Sequence, residues 1–98
     1  MTIEILDEAK EDLVSGYHFY EAQLPGLGAY FLDSLFSDID SLLVYAGVHR
    51  VAFGSHRCLS RRFPFAIYYR IENDTVRIRA ILDCRRNPAS VRQRLQGA

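Results

Sequence analysis

Tryptophan is absent from the 98 residues, lysine occurs once, as Lys10, and methionine only as Met1. Cysteine is limited to Cys58 and Cys84. Two thiols permit at most one bridge, and neither belongs to a C-x-x-C pair of the kind that binds zinc or does redox work, so both read as small core or strand-face residues. No uninterrupted apolar run approaches the roughly 18 residues that a membrane helix needs. The first ten residues are acidic where a signal peptide is basic and then apolar, and a cytoplasmic location without membrane contact is expected. Internal repeats and low-complexity tracts are lacking too. At 49% hydrophobic and 24% charged, a chain this short reads as one globular domain over residues 1–98. Neither a metal nor a cofactor is expected.

The formal net charge is zero, but the two halves of the chain oppose each other. Residues 1–56 carry Lys10 and Arg50 against nine carboxylates, a net of −7, and residues 57–98 carry ten arginines against Glu72, Asp74 and Asp83, a net of +7. A segregation of this size points to a polyanion or an acidic partner meeting the second half. Because the cations are nearly all arginine, planar forks suited to phosphate or carboxylate are available rather than a diffuse lysine cloud.

Hydrophobic spacing divides the chain in the same place. Thr2 to Leu6 alternates and predicts an opening strand, after which Asp7 is a plausible helix cap with Glu8, Glu11 and Asp12 in the first turns. Ala9, Leu13, Tyr17, Tyr20 and Leu24 form one stripe of a helix running to about Gln23, and Pro25-Gly26-Leu27-Gly28 breaks it. A second stripe, Phe31, Leu35, Ile39, Leu42 and Ala46, predicts a helix ending near Gly47 and folded back on the first. Val48 to His56 reads as a loop. From Arg57 the period becomes two, with strands expected over Arg57–Phe63, Phe65–Glu72 and Thr75–Asp83. In the last of these Val76, Ile78, Ala80 and Leu82 are expected inward, with Arg77, Arg79, Ile81 and Asp83 outward. Asn87 then caps a short helix with Pro88 at its first position. The fold class is therefore α+β: an N-terminal strand, an antiparallel helical hairpin packed on a three- to four-stranded, mainly antiparallel sheet, and a short C-terminal helix or tail. The other sheet face is expected to be left to the arginines.

The run Arg57-Cys58-Leu59-Ser60-Arg61-Arg62-Phe63-Pro64-Phe65-Ala66-Ile67-Tyr68-Tyr69-Arg70-Ile71, the strand Val76 to Leu82 and the close Asp83-Cys84-Arg85-Arg86-Asn87-Pro88 resemble the RelE/ParE superfamily of toxins from type II toxin–antitoxin systems, also known as plasmid-stabilisation proteins. The acidic first helix, the Pro-Gly break and the long second helix are similar to that family's N-terminal half. The resemblance implies a growth-inhibiting protein neutralised by a cognate antitoxin, in a heterotetramer or higher complex. It offers two targets, DNA gyrase, which is poisoned by binding, and messenger RNA on the ribosome, which is cut.

Whether the chain is an enzyme stays open at this level. The matching positions supply Arg57, Arg61, Arg85 and Arg86 as clamps for phosphate or for the target. A metal-independent RNA cut also needs a base for the 2′-hydroxyl and an acid for the leaving oxygen. After Tyr69 there is no His, Tyr or Lys, and Asp83 stands where many relatives have histidine. His56, beside Arg57, and Asp83 are the candidate proton movers, with Arg57, Arg61 and Arg85 around them; His18 and His49 read as surface and loop residues. The scarcity favours a toxin that binds gyrase, with a ribosome-dependent ribonuclease and a non-toxic antitoxin-binding module as alternatives.

Overall fold

The computed structural model describes residues 1–96. β1 (Thr2–Ile5) leads into α1 (Asp7–Gln23), and a three-residue connection turns the chain into α2 (Leu27–Tyr45). Asp7, expected to cap α1, is its first residue instead: Leu6 holds the cap position and no side chain bonds the free amides there. Buried Ala9, Leu13, Gly16 and Tyr20 form the inner face of α1. α2 begins four residues ahead of Phe31, because the Glu21 carboxylate accepts the Gly26 and Gly28 amides (3.1 and 3.0 Å) and so satisfies donors at the helix start. Two glycines let the helices close on each other. A Cβ at Gly16 would lie 2.4 Å from the Phe31 ring, and one at Gly28 would lie 2.7 Å from the Tyr17 carbonyl oxygen.

The sheet has five strands where three or four were expected, in the order β1-β5-β4-β3-β2. β1 runs parallel to β5 (Thr75–Asp83); the remaining pairs, with β4 (Phe65–Glu72), β3 (Ser55–Leu59) and β2 (Val51–Ala52), are antiparallel. β2 falls in the segment read as a loop, and two residues are too few to show a period. Its turn to β3 is Phe53-Gly54, with φ of 53° and 78°, the left-handed pair that a two-residue hairpin requires. β3, expected over Arg57–Phe63, is shifted back so that His56 lies within it. Residues 60–64 turn instead, held by the Ser60 amide on the Phe65 carbonyl at 2.8 Å.

β5 differs from its expected pattern in a way that decides both faces of the sheet. Tyr68 is opposite Ala80 and Tyr69 is opposite Ile78, so Arg79 is an extra residue that forms a bulge. Beyond it the alternation inverts. Val76 and Ile78 join Ile81, Ile67 and Tyr69 beneath the helical hairpin, whereas Ala80 and Leu82 join Ala66 and Tyr68 on the opposite side. That side is not left to arginines. α3 (Pro88–Gln96) covers it with Val91 and Leu95, starting as expected from Asn87, whose Oδ1 accepts the Ala89 amide at 2.8 Å.

Candidate target-binding cleft

Four of the ten arginines in the basic half are held by partners within the fold. Arg94 donates to both carboxylate oxygens of Asp12 (3.0 and 2.8 Å) and to Glu8 (2.8 Å), which ties α3 to α1 and holds its guanidinium above the usual range. Asp12 also accepts the Ile81 amide at 2.9 Å. Arg79, at the bulge, donates to the Ser55 hydroxyl and to the Leu95 carbonyl, both at 2.8 Å. Arg77 pairs with Glu4 at 2.6 Å, and Arg70 reaches the Gly54 carbonyl at 3.0 Å. Much of the charge opposition in the sequence is thus settled inside the molecule.

A different group surrounds a cleft of about 200 Å³ where the start of α3 meets the sheet; Arg57, Tyr68, Asp83, Cys84 and Arg86 line it, with Phe53 and Pro88 at its rim. Arg57 projects from β3 across Tyr68, its register partner, and its Nε donates to the Tyr68 hydroxyl at 3.2 Å. Its Nη2 lies 3.6 Å from Cys84 Sγ. Arg86 donates to the Ser90 hydroxyl on the first turn of α3 at 3.0 Å. Asp83 accepts three bonds from Arg85, one from the main-chain amide (2.8 Å) and two from the guanidinium (2.9 and 2.6 Å). Those bonds hold the Asp83 carboxyl below its ordinary range against the opposing effect of burial, and raise the Arg85 guanidinium in turn. A carboxylate with so many donors is a weak base.

Arg57, Arg86 and Asp83 are therefore brought together on this cleft; Arg85 is tied to Asp83 without lining it, and Arg61 and His56 lie elsewhere. The His56 ring turns to the hairpin side, where it stacks on Tyr69 with ring centroids 5.0 Å apart, and its Nδ1 bonds the His49 carbonyl at 2.8 Å. Tyr69 is fully buried; its hydroxyl accepts the Gly47 amide at 2.9 Å and meets His49 Nδ1 at 2.5 Å. Burial raises the Tyr69 phenol, and burial followed by the nearby His56 lowers the His49 imidazole. Arg61 is exposed on the β3–β4 turn and lines clefts with Asp38 that exclude Arg57. His18 is exposed on α1, its ring edge-on to Tyr17. Sequence reasoning missed Phe53, whose role depends on the unread β2 turn. It also missed Asp38, although that carboxylate interrupts the apolar stripe of α2 between Leu35 and Ile39 and is buried.

No helix among the described residues is long and apolar enough to cross a membrane. Curated proteins contain no match to the sequence. Among solved structures, a chain from a chromosomal ParDE toxin–antitoxin system of P. aeruginosa aligns with a TM-score of 0.74 at 19% identity, covering 83% of this chain and 92% of that one, a likeness of fold. The family model described as ParE toxin of type II toxin-antitoxin system, parDE, matches residues 3–88. Matched across most of its length and folded as the sequence resemblance implied, the chain belongs to the ParE toxin family of type II toxin–antitoxin systems, whose toxins have an antitoxin as partner.

Proposed function

We propose that this toxin arrests growth by binding DNA gyrase through the cleft of Arg57 and Arg86, that it cuts no RNA, and that its cognate antitoxin neutralises it by covering the basic half. The observation that carries this reading is that, among the described residues, no proton-transfer pair stands beside the clustered cations. Tyr68 is only 4% exposed, Asp83 is held below the ordinary carboxylate range by Arg85 and so is a weak base, and His49 and His56 lie across the sheet against Tyr69. General acid–base cleavage needs such a pair within hydrogen-bond reach of the 2′-hydroxyl and the leaving oxygen. Binding needs only donors and field, and the cleft supplies forked guanidiniums beside the positive end of α3. Purified gyrase supercoiling a relaxed plasmid tests the proposal. The chain is expected to inhibit supercoiling, and the Arg57→Ala/Arg86→Ala double variant is expected to lose that inhibition while staying folded. Unimpaired supercoiling with saturating chain, together with messenger cleavage in a translating extract, would reverse the conclusion.

A further inference from the structure

We infer that a second cleft, between α2 and the β3–β4 turn, receives a single carboxylate from an acidic segment of the antitoxin; the inference rests on family membership and not on gyrase being the target. The cleft measures about 180 Å³ and is lined by Ser34, Ser37, Asp38, Arg61 and Arg62. Three groups here lack an acceptor or partner among the described residues. Arg61 and Arg62 are exposed, and neither guanidinium has the carboxylate or carbonyl acceptor that holds Arg77, Arg79, Arg85 and Arg94. Ser34 is 4% exposed and its hydroxyl has no hydrogen-bond partner. A buried hydroxyl in that state costs free energy, which a turn of the Ser34 side chain toward a ligand oxygen in the cleft would recover.

Charge and size select the ligand. Asp38, also 4% exposed, is not the acceptor here: its Oδ2 takes the Ser60 hydroxyl (2.6 Å) and the Arg61 main-chain amide (3.3 Å), and among the described residues neither guanidinium pairs with it. Two guanidiniums and this one carboxylate leave a local charge of +1, which a carboxylate neutralises and a phosphate, at roughly −2, overshoots. The volume is below the roughly 300 Å³ at which small-molecule sites begin, so the cleft fits the end of a side chain. Two carboxylate oxygens offer about four lone-pair sites, enough for one bidentate arginine fork, a single bond from the other guanidinium and one from the Ser34 hydroxyl. Arg62 is steadied over the Tyr30 ring, 5.9 Å from its centroid. A neighbouring cleft of about 410 Å³ shares Asp38 and Arg61 and runs past Tyr45 and Leu59, 57% and 55% exposed, so apolar residues flanking the acid would be covered as well. The arginines of the basic half that the fold leaves without a carboxylate, Arg61 and Arg62 among them, are the ones an antitoxin has to meet, and acidic side chains are what that task requires.

The test uses the isotopically labelled full chain and two capped peptides, acetyl-Leu-Glu-Leu-amide and its Gln counterpart, followed through the Arg61 and Arg62 Nε–Hε resonances. The Glu peptide is expected to give saturable shifts confined to this cleft and to bind about tenfold more tightly than the Gln peptide, as a charge-assisted bond should. Arg62→Glu, a surface change, is expected to erase that difference, and Ser34→Ala to weaken the Glu peptide about threefold. Equal binding of the two peptides, or tighter binding of inorganic phosphate than of the Glu peptide, would overturn the inference. The purified chain is measured without gyrase, so failure of the supercoiling assay and failure of this one are distinguishable.

Discussion

The three bonds that Arg85 gives to Asp83 make that carboxylate a titratable contributor to stability. Its folded pKa lies below the unfolded value, so its contribution is complete above the ordinary carboxylate pKa of about 4 and is lost as pH falls through the depressed folded value. Asp83→Asn is expected to unfold at lower urea than the parent at pH 7 and to converge with it in strong acid; a gap that does not change with pH would assign the loss to something other than this charge. Tyr69 makes a second residue-scale case. Removing its hydroxyl takes away the acceptor of the Gly47 amide, and Tyr69→Phe should cost about 1 kcal/mol in the same urea titration. A neutral result would mean that water or His49 replaces the bond. At this scale the sequence reported residue types but not their facing: His56 and Arg57 are neighbours, yet alternate positions of β3 send them to opposite sides of the sheet.

Helices and strands with a sustained period could be read in advance, and the exceptions have local causes. α1, β4 and β5 kept their expected extents because 17, eight and nine residues carry their patterns. β2 escaped because two residues carry none. The bulge at Arg79 lies where the alternation Val76-Arg77-Ile78-Arg79 runs into the continuous apolar stretch Ala80-Ile81-Leu82, which fits either facing, and only the register with β4 reveals it. With that one inserted residue, Ala80 and Leu82 pass to the far side and give α3 something to cover. The candidate cleft inherits this, since its floor is the surface of β3 and β4 that α3 leaves open. Close packing of the hairpin is equally specific to its glycines. Gly28→Ala places a methyl 2.7 Å from a backbone oxygen that cannot swing away, and a loss of about 1–3 kcal/mol is expected in thermal or urea unfolding. An unchanged midpoint would show that the helices separate at no cost.

Across the whole molecule, the acidic and basic halves meet at Arg94 with Glu8 and Asp12, at Arg77 with Glu4, and at the amino terminus with Asp74. Among the arginines left without a carboxylate, Arg57 and Arg86 line the cleft beside α3 with Arg92 over the Phe53 ring at its edge, and Arg61 and Arg62 stand together beside α2. The +7 count announced a surface for an acidic partner but could not show that Arg61 lies apart from Arg57, since spacing along a turn says nothing of the face it ends on. The central claim is that this toxin acts by holding its target and not by cutting RNA. Pulse labelling of DNA and protein synthesis in the first minutes after induction in a bacterial host without the antitoxin tests it most directly. DNA synthesis is expected to stop while translation continues and messengers stay whole; an immediate halt in translation with messengers cut inside codons would contradict it.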